Sequence, residues 1–323
     1  MPLFSVVIPL YNKEPHVKRT LNSVLAQTIQ DFEIIVVDDG STDKSKEVVK
    51  SFSDYRIQLI SQKNAGVSVA RNRGINEAKA DFIAFLDADD EWKPNFLEEI
   101  FGLINKYPSA GAYAVAYNIC LPYGKIRIAR YKAIPLAPWK GLLPSYFLAA
   151  ATGEHPVCSS SICIPKHIFS DIGGFKVGAW WGEDDDMWGR IAIKYPIAFS
   201  WEIGCIVHKE TINRACSRLQ TVEEHPFIRT AQKLMNEDKV PANMLNDLRE
   251  CIAKYQILSA AHNISVGNPR LARDILSNCE TKLLYHQEIF WSFWAIMPSP
   301  IYHTASKTRG NLSKLFSWSS VKR

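Results

Sequence analysis

No apolar run in this 323-residue chain reaches the roughly 18 residues that a membrane-spanning helix needs. The longest aromatic-rich stretch, IFWSFWAIM at 289–297, has about half that length. The start, MPLFSVVIPLYN, lacks a basic n-region and reads as a first core strand, not a signal peptide. The seven cysteines, at 120, 158, 163, 205, 216, 251 and 279, form no CxxC pair, and their number is odd. This argues against a disulfide framework or a zinc site and fits reduced thiols in a cytoplasmic protein. A dense basic patch is also missing, which argues against nucleic acid as a partner. No Ser-His-Asp or Cys-His arrangement stands at a recognisable spacing, so no covalent nucleophile is indicated.

What is present is ordinary globular composition, 47% hydrophobic and 22% charged, enough for one large domain or two smaller ones. The net charge of +5 is unevenly placed. Residues 1–215 hold 24 basic and 24 acidic side chains, whereas residues 216–323 hold 14 against 9. The last 35 residues hold five basic and no acidic ones.

Strand-like and helix-like segments alternate through the first hundred residues. FSVVIPL (4–10), FEIIVVDDG (32–40), RIQLIS (56–61) and FIAFLDADD (82–90) read as strands. Segments 15–27, 43–52, 66–78 and 94–107 have helical spacing between and after them. Such βαβα order predicts an α/β fold with a mostly parallel sheet, whose ligands bind beyond the carboxyl ends of the strands. Farther on, 110–120 and 159–169 look like strands, while 183–195 and 243–263 look like helices.

Two acidic clusters fall at strand carboxyl ends. Asp87, Asp89 and Asp90 follow a run that does not alternate and therefore reads as buried on both faces. Gathering three carboxylates there is costly unless a cation offsets them. They read either as a site for Mg²⁺ or Mn²⁺ or as a solvated turn that caps the next helix. Asp38-Asp39-Gly40-Ser41-Thr42-Asp43 reads as a turn and helix cap, with a carboxylate able to meet a base imide. In NAGVSVARNRG (64–74), a helix start and Arg71 could meet a phosphate, or the helix could simply lie on the surface. WWGEDDD (180–186) sets four acids behind two tryptophans, either a sugar platform beside a general base or core rings beside a helix cap. His208, in GCIVHKE, is a structural residue unless the fold returns it to the acidic edge.

The order VVIPLYN, IIVVDDGSTD, NAGVSVARNRG, FIAFLDADDEW and IGGFKVGAWWGEDDDMWGRI resembles glycosyltransferase family 2, over about residues 3–210. The resemblance implies a GT-A fold: a Rossmann-like mixed sheet with helices on both faces. It implies an inverting transfer of a sugar from a nucleotide-diphosphate donor to an acceptor hydroxyl, with Mn²⁺ or Mg²⁺ as cofactor. By the same resemblance, Asp39 meets the nucleobase and backbone from Pro9 to Tyr11 lines its pocket. Arg71 lies near the nucleotide and diphosphate, Asp87 near the ribose, and Asp89 holds the metal. His208 stands where some members place a histidine close to the metal. Asp184 matches the catalytic base, but Asp185 and Asp186 follow where many members have an aromatic residue, so the three share the assignment.

These readings give a catalytic domain at 1–215 and a helical extension at 216–323. Trp291, Trp294 and Trp318 with the basic tail suit the anionic inner face of a cell membrane, or the tryptophans pack against the catalytic domain and the tail is solvated. The expected donor is a UDP-sugar, and the acceptor a saccharide or lipid-linked saccharide in polysaccharide, lipopolysaccharide or related glycan synthesis. Two alternatives stand. A sugar-phosphate nucleotidyltransferase would need a glycine-rich loop after the first strand, and PLYNKEPH has no glycine. A non-catalytic glycan-binding or scaffold protein would have lost Asp89 or the acids after Trp181, and both are retained.

Overall fold

The computed structural model describes residues 1–211 and 219–297. Trp318 and most of the basic tail lie outside the described residues. The chain divides into two compact units: residues 1–218 with 226–252, and residues 219–225 with 253–323. Segment 226–252, expected in the C-terminal extension, therefore groups with the first unit.

The first unit is built on a ten-stranded mixed sheet. Strands β1 (Phe4–Leu10), β2 (Phe32–Asp38), β3 (Ile57–Ser61) and β4 (Phe82–Phe85) run parallel, in spatial order β3-β2-β1-β4. Their apolar runs need burial on both faces, and the interior residues of β1, β2 and β4 are almost all buried. Helices α1 (Val17–Leu25), α2 (Ser45–Lys50) and α3 (Val67–Glu77) supply the crossovers. Helix α3 lies close on β1 because position 74 is glycine: a Cβ there would stand 2.3 Å from Val7 Cγ1.

Beyond β4 the chain adds β5 (Glu91–Trp92), α4 (Phe96–Lys106) and the long β6 (Ala112–Leu121). Strands β7 (Lys125–Ile128) and β8 (Lys140–Leu142), helix α5 (Tyr146–Thr152) and strand β9 (Ile162–Pro165) follow. The apolar run at 159–169 is only partly strand, because the chain turns at Pro165 into helix α6 (Lys166–Ile172). Helix α7 (Glu183–Lys194) then leads into β10 (Ile197–His208), a twelve-residue strand beside β6. Its sequence, IAFSWEIGCIVH, breaks the apolar pattern at Trp201-Glu202, where the pairing with β6 shifts register.

Strand β9 runs antiparallel between β4 and β6, so β6 points the same way as β4, and β10 is parallel to β6. The carboxyl ends of β1, β2, β4, β6 and β10 thus lie along one edge of the sheet. Helix α8 (Pro226–Asn236) completes the unit on α7: Phe227 stacks on Phe147 of α5, and Gly189 of α7 gives it room. The division between the units falls inside α9 (Leu245–Ser265). The second unit buries Ile257, Ala260 and Ile264 of that helix against Ala272 and Leu276 of α10 (Pro269–Ser277) and Trp291 and Ala295 of α11 (Tyr285–Ile296).

Candidate active site

The loops that leave β1 and β2 are cross-braced. The Asn12 N–H donates to Ser41 Oγ at 3.0 Å, and Asn12 Oδ1 accepts the Thr42 N–H at 2.8 Å. The Lys13 N–H donates to Ser45 Oγ at 2.7 Å. Gly40 takes φ 76°, and a Cβ there would come within 2.9 Å of the Asn64 nitrogen, so glycine is required where the β3–α3 loop passes. Asp39 is 3% exposed. Its oxygens accept from Gln62 Nε2 and from the N–H groups of Ala65 and Gly66, at 2.8 to 2.9 Å. A carboxylate has about four acceptor positions, so roughly one is left for a ligand donor. Pro9 is partly exposed and Tyr11 exposed beside it.

The acids after β4 separate by task. Asp90 is buried: it accepts the His208 N–H at 2.8 Å and the Ser160 hydroxyl at 2.5 Å. Burial, then the charges of Asp89 and Asp87, push its carboxyl well above the usual range. Asp89 Oδ2 accepts from Lys13 Nζ at 2.7 Å and from Thr211 Oγ1 at 2.8 Å. Asp87 is the more exposed and accepts from Arg71 at 2.9 Å.

Arg71 is enclosed, with a side chain 4% exposed. One N–H reaches Asp87 Oδ1 and another Glu183 Oε1, each at 2.9 Å, and the guanidinium lies 5.2 Å from the Phe175 ring centroid. The residue that the resemblance sets near the diphosphate thus forms a buried bridge from the β4 acids to the first residue of α7. Next along α7, Asp184 is half-buried and accepts the Asp185 N–H at 2.9 Å. Burial, then Asp185 and Glu183, raise its proton affinity well above the ordinary carboxyl value, with Arg71 opposing.

The other two candidates for the base are placed differently. Asp185 Oδ1 lies 3.2 Å from His155 Nδ1. Asp186 is fully buried, paired with Lys176 at 3.0 Å and Arg190 at 2.7 Å, and takes the Thr230 hydroxyl. Asp186 therefore braces α7 against α8 and cannot meet an acceptor. Trp180 and Trp181 stack with centroids 6.2 Å apart just before the helix, both partly exposed.

Strand β10 does return His208 to the acidic edge. Its Nδ1 lies 2.5 Å from Glu210 Oε1, and its Nε2 3.4 Å from Glu91 Oε1. Cys120, opposite it in register on β6, brings its sulfur within 4.8 Å of the His208 and Glu210 ligand atoms. The carboxylates fit a hard divalent cation: burial and then their mutual field raise Asp90, and the Lys13 ammonium is already drawn to Asp89. Lys13 and Thr211 were not legible as site residues, and Glu183 was marked only as one of the four acids at 183–186, not as the partner of Arg71. Each lies far in sequence from the group it touches, and no motif spacing marks it.

The glycosyl transferase family 2 profile matches residues 5–158. Over those residues the chain is similar to family 2 glycosyltransferases. It is 42% identical, over 116 residues, to glycosyltransferase GlyA of Streptococcus pneumoniae, covering 35% of this chain and 17% of that protein. An uncharacterized glycosyltransferase of Rickettsia typhi, RT0329, is 28% identical over 225 residues, 69% of this chain and 70% of its own. The matches to the first curated relatives span only 17%, 27% and 28% of their lengths. The fold is shared with S. aureus TarS 1–349 crystallised in complex with UDP-GlcNAc, at a TM-score of 0.68 and 18% identity, covering 90% of this chain and 88% of that one. The GT-A arrangement implied by the resemblance is therefore the fold of this domain.

Proposed function

We propose that this chain transfers a sugar from a nucleotide-diphosphate donor, a UDP-sugar, to an acceptor hydroxyl with inversion at the anomeric carbon. The acceptor is a saccharide or lipid-linked saccharide of polysaccharide, lipopolysaccharide or related glycan synthesis. The enzyme works in the cytoplasm and touches the anionic inner face of the membrane.

One observation carries the reading. Arg71 ties Asp87, at the donor edge, to Glu183, the neighbour of Asp184, through two 2.9 Å ion pairs. A carboxyl of raised proton affinity is thereby fixed to the same frame as the acids that would face a diphosphate. Asp184 takes the proton of the acceptor hydroxyl as that oxygen bonds to the anomeric carbon. The bond from that carbon to the diphosphate oxygen breaks, and its electrons leave with the nucleoside diphosphate. A base with raised proton affinity accepts that proton more readily than an ordinary carboxylate. Asp39 presents its remaining acceptor position to the base imide, with Pro9 and Tyr11 alongside. Asp89 would hold Mn²⁺ or Mg²⁺, with His208 near, and a bound cation would supply countercharge for the leaving diphosphate. Lys13 must yield Asp89 to that cation.

Calorimetric titration with UDP, GDP and dTDP, each with and without Mn²⁺, tests the reading. The expected result is Mn²⁺-dependent binding of UDP that Asp89→Ala abolishes. Absence of binding to every nucleotide would favour the scaffold alternative. Equal affinity with and without Mn²⁺ would remove the metal assignment.

A further inference from the structure

Among the described residues, helix α11 is pinned by one side. Trp291 and Ala295 are buried against α9 and α10 together with Leu284, and Arg273 of α10 donates to the Ala295 carbonyl. Two of the three tryptophans that suggested a membrane contact are thus engaged in the core: Trp291 is buried and Trp294 packs on the same cluster. The opposite side is largely apolar and, among the described residues, exposed. Tyr285, Ile289, Phe293 and Ile296 are 48%, 49%, 54% and 72% exposed. Their spacing, i, i+4, i+8 and i+11, sets them in one row along the helix. Leu283, just ahead of the helix, is 55% exposed. The one acid on α11, Glu288, is partly buried and accepts from Ser292.

Single exposed apolar residues need no account, but a contiguous row of large ones does. The sequence directly after the helix says what covers it. Residues 298–323 carry Lys307, Arg309, Lys314, Lys322 and Arg323 and no acid. A second copy of the chain seated on this row would bring two like-charged tails together, which repel. An anionic lipid surface satisfies both features: the rings and aliphatics enter the interface, and the cations meet the headgroups. Either signal alone gives marginal binding, and the two together give stable docking.

We propose that the Tyr285–Ile289–Phe293–Ile296 face of α11 is a docking surface for anionic membrane, reinforced by the basic segment 298–323. This rests on the membrane placement proposed above and names the surface that makes the contact. Among the described residues no helix is long and apolar enough to cross a membrane, so the contact is interfacial.

The test is flotation of the full-length protein with vesicles of phosphatidylcholine alone or mixed with phosphatidylglycerol. Wild type should bind the mixed vesicles and lose them as salt rises. The doubly substituted Ile289→Glu, Phe293→Glu protein should bind at least roughly tenfold more weakly. A full-length variant with all five tail cations changed to Gln should weaken similarly. Both positions on α11 are exposed, so thermal melts of the Glu variant should match wild type. The UDP titration of the same proteins reports separately on the donor site, so loss of one does not mimic loss of the other. Vesicle binding unchanged by the Glu pair would overturn the proposal. So would tighter binding by the Gln variant, which would mean the tail itself covers the row. A dimer in sedimentation velocity that the Glu pair dissociates would assign the face to a second copy instead.

Discussion

Replacing Arg71 by Met should destabilise the first unit by about 3 kcal/mol at neutral pH. Burial works against the Arg71 charge, but Asp87, Glu183 and Asp184 outweigh it and raise its proton affinity. Methionine fills much of the space and withdraws the charge. Breaking a buried pair by removing one partner costs about 3–5 kcal/mol, because the other charge stays behind. The Asp87 half is discounted, since its side chain is 36% exposed and water screens it. Glu183, at 11%, carries most of the cost. For a unit of this size that corresponds to a fall in Tm of roughly 6–12 °C. Urea denaturation followed by circular dichroism at pH 7 and pH 4 measures it. A buried carboxylate without its counter-ion holds its proton more tightly folded than unfolded, so the variant loses stability as pH rises. The gap from wild type should therefore narrow at pH 4. Adding Glu183→Gln should recover part of the loss. A loss below about 1 kcal/mol, or a gap that does not change with pH, would refute the bridge as a buried ion network.

Three further outcomes are expected. Asp184→Asn should retain UDP affinity and lower turnover at least ~100-fold. Because the folded carboxyl is raised, the wild type loses stability as pH rises through its folded value, so the Asn protein should be the more stable there and no different in acid. If Asp185→Asn instead abolishes turnover, the base is the neighbour paired with His155. Lys13→Met removes the ammonium on Asp89 and should tighten Mn²⁺ binding about fivefold, equivalent to an ion pair of about 1 kcal/mol. Unchanged or weaker Mn²⁺ affinity by calorimetry would show that Lys13 does not compete for the site. Gly189→Ala would set a Cβ 2.0 Å from Phe227 Cε2. It should cost about 1–3 kcal/mol in urea melts, and a change under about 0.5 would mean that α7 and α8 separate easily.

The sequence by itself determined the first half of the sheet. Strand Phe4–Leu10 appears with the bounds its apolar run implies, the next two strands and three helices fall within about two residues of expectation, and the fourth strand stops at Phe85, short of the expected 90. Their signals are local: apolar runs for strands, helical spacing between them, acids where each strand stops. The same locality placed Asp39, Asp87 and Asp89 at strand carboxyl ends on one edge, while Asp184 was singled out only by the resemblance. Strand β10 was not legible, because Trp201 and Glu202 interrupt its pattern and pairing with β6 overrides it. Only the tertiary structure decided how the acids divide their work. Asp184, Asp185 and Asp186 stand side by side in sequence, and only the resemblance singles out Asp184. Folding half-buries the first, sets the second beside His155 and buries the third among Lys176, Arg190 and Thr230. Arg71 reads from sequence as a phosphate contact or an exposed surface residue; packing encloses it between Asp87, 16 residues on, and Glu183, 112 residues on. On α11, too, composition marked the tryptophans, while packing turned Trp291 inward and left Ile289 and Phe293 facing out. Which partner a charge or a ring meets depends on contacts between distant segments, and those are set by packing the whole chain.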